Sequence, residues 1–101
     1  MELFHIKMKN GQDLVGSVDF IDEGSILLSN VMEFVATPNL GMYTKKWLHL
    51  SKDNETRLHT RDVLFVNPAS DDAVDMYVEV LERKIQEAME EVFEHSSTTI
   101  H

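Results

Sequence analysis

The side chains able to do chemistry in this 101-residue chain are present but dispersed. Five histidines (His5, His49, His59, His95 and His101) are scattered, and no closely spaced histidine or carboxylate partner completes a metal set. His49 and His59 face each other only if a hairpin brings them together. Asp19 and Asp22 fall on opposite strand faces or across a turn, whereas paired acid–base work needs two carboxylates in one pocket with separated pKa values. Ser29, Ser51 and Ser70 have no nucleophile elbow around them, and no glycine-rich phosphate loop occurs. The chain has no cysteine, which removes thiol nucleophiles, disulfides and thiolate zinc sites together. No catalytic residue, metal ligand or cofactor is therefore expected, and the chain reads as a non-enzyme. Lys45 and Lys46 beside Trp47 resemble basic–aromatic interleaving, but strand alternation sends the two lysines to opposite faces.

The elements that carry these residues follow from periodicity. Leu3 to Lys9 alternates apolar and basic residues and reads as a strand. Asn10-Gly11 signals a tight two-residue turn with positive φ at both central positions. Leu14 to Ile21 is a second strand, and Gly16 in its middle is costly unless the chain bends there or backbone packs against it. Asp22-Glu23-Gly24-Ser25 is a second turn, and Ser25 to Thr37 a third strand. Tyr43 to Ser51 is a fourth, with Thr56 to Thr60 continuing the sheet after a polar turn. Val63-Leu64-Phe65-Val66 is a last strand so apolar that a central or interfacial position is expected.

Asn67-Pro68 ends the β-unit, and Ser70 can cap a helix whose first turn holds Asp71 and Asp72. Val74, Tyr77, Val78, Leu81, Ile85, Ala88, Met89 and Val92 then recur at intervals of three and four. The resulting division is a β-unit over residues 1–67, an amphipathic helix over 68–95 and a frayed tail over 96–101. That helix is too long for one small β-unit, so it is expected to pack on that unit or on a neighbouring subunit and to offer a docking face to another protein.

The charge is unevenly divided. Of the net −9, residues 71–94 carry nine acids against Arg83 and Lys84, a net of −7, while residues 1–70 carry nine acids and seven bases, a net of −2. Duplex DNA is excluded as a partner, because affinity for its backbone needs clustered cations. No segment reaches the length and apolarity of a membrane span, and the absence of cysteine suits a reducing cytosol, so a cytoplasmic protein is expected.

The stretch from Lys9-Asn10-Gly11 through Leu14-Val15-Gly16-Ser17-Val18 and Ile21-Asp22 to Ile26-Leu27-Leu28 and Asn30 resembles the first motif of Sm and Sm-like proteins. Leu58 to Val66 resembles the second. The structural positions are Gly11, Gly16 and Asp22, and the trailing helix is similar to that of the short Sm-like proteins of large tailed phages of cyanobacteria. The resemblance implies a mostly β fold: a small, strongly bent, five-stranded antiparallel barrel followed by one long helix. It also implies a homo-oligomeric ring of roughly five to seven subunits, closed by symmetry, and for a phage-encoded chain the host cytoplasm. Carried over by position, weak single-stranded RNA binding at the pore would fall to Arg61, Asn30, Thr60, Glu23 and Gly24. The usual stacking side chain is missing from the turn, so the alternative is a structural or protein-interaction ring that binds no nucleic acid.

Overall fold

The computed structural model describes residues 2–39, 41–47 and 54–99. Six strands and one helix follow in order: β1 (Phe4–Met8), β2 (Asp13–Ile21), β3 (Ser25–Thr37), β4 (Gly41–Lys46), β5 (Glu55–His59), β6 (Val63–Pro68) and α1 (Asp71–Thr99), with a 3₁₀ turn at Thr60–Asp62 between β5 and β6. The sheet is antiparallel in the order β4-β3-β2-β1-β6, and β5 pairs with β3 beside β4.

This arrangement corrects the expected five-stranded barrel: the sheet has six strands and is open. The thirteen residues of β3 expose one long outer edge that two short strands share. β4 covers Met32 to Thr37 and β5 covers Ser25 to Ser29. The expected fourth strand thus ends at Lys46, and its remainder at residues 48–51, His49 included, lies outside the described residues. The 3₁₀ turn, held by the Lys9 N–H on the Asp62 carbonyl (2.9 Å), carries the chain straight to the far side, where β6 pairs with β1. Among the described residues no ladder joins β6 to β4 or β5, so both edges remain. The apolar last strand, expected at the centre or at an interface, is one of those edges and not central.

The first hairpin also departs from the expected two-residue turn. Lys7 pairs with Asp13 and Ile6 with Leu14, leaving a three-residue loop of Lys9, Asn10 and Gly11. Only Gly11 takes a positive φ there (+97°), as in loops where a type I turn is followed by a left-handed residue. Asn10 Oδ1 accepts the Gln12 N–H at 3.0 Å and completes the turn.

Apolar side chains pack on both faces of the sheet. On one face Ile6, Met8, Leu14, Ile26, Leu28 and Val31 form a core, with Trp47, Leu58 and Val66 against it. On the other, Leu3, Val15, Met32 and Phe34 receive Tyr77 of α1, flanked by Ala73, Val74, Met76 and Leu81. The helix starts where Ser70 Oγ accepts the Ala73 N–H (3.2 Å). At 1.5 Å per residue its 29 residues span about 43 Å. Among the described residues, the apolar packing of the helix on the sheet comes from its first three turns, and the rest runs on past the β-unit in a molecule 57 Å long.

Candidate functional site

The turn between β2 and β3 is built on Asp22. Its Oδ1 accepts the N–H of Gly24 (3.0 Å), the N–H of Ser25 (2.8 Å) and the Ser25 hydroxyl (2.9 Å). Arg57 on β5 approaches Oδ2 at 3.4 Å and donates to Ser25 Oγ at 2.7 Å. These bonds, the Gly24 amide first, hold the Asp22 carboxyl below its ordinary value. Asp22 is therefore fully engaged in fixing the turn and in tying β5 to it.

Of the residues carried over for RNA, four come together. Glu23 and Gly24 are exposed at this turn, the Thr60 N–H donates to the Gly24 carbonyl (3.1 Å), and Arg61 is exposed in the adjacent 3₁₀ turn. Asn30 is not with them. It lies beyond the β5-paired half of β3, with φ at +51°, its N–H on the Asn54 carbonyl (3.0 Å) and its own carbonyl accepting the Tyr77 hydroxyl (2.5 Å). Arg57, which organises the turn, went unnoticed in the sequence. Alternation marks it as solvent-facing, and nothing local reveals a partner 35 residues away.

A second cluster joins β1 to β2. His5 Nε2 lies 2.9 Å from Asp13 Oδ1, and Lys7 Nζ donates to Asp13 Oδ2 at 3.1 Å. Burial pushes the Asp13 carboxyl up, but the bonds and charges of His5 and Lys7 outweigh it and leave the group below its ordinary value. The His5 ring meets Phe65 edge-on at 5.2 Å. The cluster borders a groove of about 520 Å³ between the sheet and the start of α1. A histidine–carboxylate pair is part of an acid–base device, but the nearby Ser70 hydroxyl is committed to capping the helix. Among the described residues no group of three or more histidines and carboxylates is placed to hold a metal. No described helix is long and apolar enough to cross a membrane.

Several large apolar side chains are exposed among the described residues. Along the projecting half of α1, Ile85, Met89 and Val92 are 54%, 67% and 66% exposed. On the sheet, Met42 and Tyr43 of β4 are 51% and 47% exposed, and Leu64 of β6 is more exposed than either.

Comparison with protein-family models and with curated proteins returned no match. The Sm-like resemblance is overturned by that result and by the open sheet together. The barrel fails because its edges do not meet, and without it the expected ring, the single-stranded RNA function of its pore, the alternative ring module and the phage affiliation lose their foundation. Gly16, Asp22 and the Ile26-Leu27-Leu28 run have local structural work to do in this sheet, and residues with such work recur in unrelated β-proteins.

Proposed function

We propose that this chain is a non-catalytic, self-associating module in which the projecting half of α1 of one copy lies on strand β4 of the next. The observation that carries the reading is the stripe of Ile85, Met89 and Val92, left bare beyond the sheet. Large contiguous apolar surface on a small soluble domain marks a contact surface, and charge selects its occupant. Two α1 helices side by side would set one segment of net −7 against another, a repulsive arrangement. Strand β4 is the complementary surface. Among the described residues it pairs on one side only, and on one face it exposes Tyr43 together with Lys45, whose charge suits the Glu87, Glu90 and Glu91 carboxylates around the stripe. Helix on sheet is a heterologous contact, in which the two surfaces differ and each copy offers both.

That asymmetry makes the reading testable with two variants. Wild type is expected to sediment at micromolar concentration well above the 11.6 kDa of one chain. Met89→Glu, which spoils the helix surface, and Tyr43→Glu, which spoils the sheet surface, are each expected to sediment as monomers. Mixed together, they regain one intact contact, the helix of the second on β4 of the first, and should give a dimer. A monomeric wild type would overturn the proposal, as would a mixture that stays monomeric.

A further inference from the structure

Between the inner end of β4, the end of the β5-paired half of β3 and the third turn of α1 lies a cavity of about 250 Å³ that none of the preceding readings uses. Its polar lining is Lys46, Lys84, Asn30 and Asn54, and Tyr77 and Leu81 are among its apolar walls. Lys7, Lys45, Arg57 and Arg83 each form an ion pair with a carboxylate. Among the described residues, Lys46 and Lys84 form none. The side-chain amides of Asn30 and Asn54 likewise have no partner among the described residues, although the two main chains bond to each other. Lys84 also borders Glu87 and Glu91 on its own helix, but in a chain of net charge −9 two ammonium groups outside any ion pair are not expected to share one concavity by default.

The position is also built. Asn30 holds a left-handed φ of +51°, uncommon for a residue with a side chain. It is fixed on both sides, by the bond of its N–H to Asn54 and by the Tyr77 hydroxyl on its carbonyl. The backbone polar groups are thereby satisfied, and the amide side chain is left for something else. Two lysines and two asparagines lining one concavity beside apolar side chains form an arrangement suited to one class of ligand.

We infer that this cavity binds a small organic anion, its carboxylate or phosphate head held by Lys46 and Lys84 with amide donors from Asn30 and Asn54, and its short apolar body against Tyr77 and Leu81. Ammonium-to-oxyanion hydrogen bonds are charge-assisted and supply most of the attraction. The volume admits a body the size of a single ring and no polymer. The site lies within one chain and does not depend on self-association.

Calorimetric titration of the purified protein with benzoate, phenyl phosphate and uncharged benzyl alcohol tests the assignment. One or both anions should bind saturably and benzyl alcohol should not; which anion binds more tightly identifies the head group. Lys46→Gln and Lys84→Gln should each weaken the bound anion about tenfold, the loss of one charge-assisted contact. Lys9→Gln, remote from the cavity, should leave it unchanged. The inference is overturned if the alcohol binds as well as the anions, if neither anion binds, if the two cavity variants bind as wild type, or if Lys9→Gln weakens binding equally.

Discussion

At Gly16 the need for glycine comes from space, not from an unusual φ. A Cβ built there would sit 2.9 Å from Val31 Cγ2 and 3.1 Å from the Ser29 carbonyl oxygen. The second of these is backbone and cannot swing aside. The ladder between β2 and β3 shifts register between Val15 and Ser17, and at this irregularity β3 leaves no room for a side chain. Gly16→Ala is expected to destabilise the domain by about 1–3 kcal/mol, the usual cost of overpacking, read as a lower urea midpoint. An unchanged midpoint would mean that β3 yields freely at Ser29 to Val31. The sequence revealed that glycine in mid-strand needs a reason, and backbone approach was one of the two reasons it allowed. The Asp13 cluster was hidden by a single residue of turn length. With a two-residue turn at Asn10-Gly11, Lys7 would oppose Leu14, and only the three-residue loop sets Lys7 opposite Asp13.

Among the elements, α1 was the most legible, because an apolar repeat of three and four over many turns has no strand counterpart. Its cap at Ser70 and its acidic first turn were equally plain. What periodicity could not separate was the half that packs from the half that does not. Tyr77 is buried against Leu3, Val15, Met32 and Phe34, whereas Ile85, Met89 and Val92, on the same repeat, are bare. Tyr77 is the anchor between helix and sheet: burial raises its phenol pKa, and its hydroxyl donates to the Asn30 carbonyl. Tyr77→Phe keeps the ring and deletes the bond, with an expected cost of about 0.5–1.5 kcal/mol. Tyr77→Ala also empties the site, with an expected cost of about 3–5 kcal/mol. Urea unfolding of both variants separates the two contributions, and equal losses would show that the hydroxyl, not the ring, dominates.

For the whole molecule, sequence pattern gave the β-then-helix order but misjudged closure. Closure depends on which edges meet: the thirteen residues of β3 take β4 and β5 one after the other along a single edge, while β6 pairs with β1 on the far side. Two carboxylates bind the resulting open sheet from opposite ends of β2: Asp13 at its start, holding β1 through His5 and Lys7, and Asp22 just past its end, holding β5 through Arg57. Both are held below the ordinary value of 3.8. The unfolded chain therefore takes up protons at these positions more readily than the folded chain as the pH falls. Their contribution is complete at neutral pH and is lost as the medium is acidified through and below that value. The net charge vanishes earlier, near pH 4.8, so loss of solubility and loss of stability should occur in that order. Thermal unfolding followed by circular dichroism is expected to give a steady midpoint from pH 7 to about 5 and a falling one below about 4. The double variant Asp13→Asn, Asp22→Asn should start lower at pH 7 and fall less steeply on acidification. An acid limb equally steep in the double variant would assign the pH dependence to other carboxylates and remove these two as the clamps of the sheet.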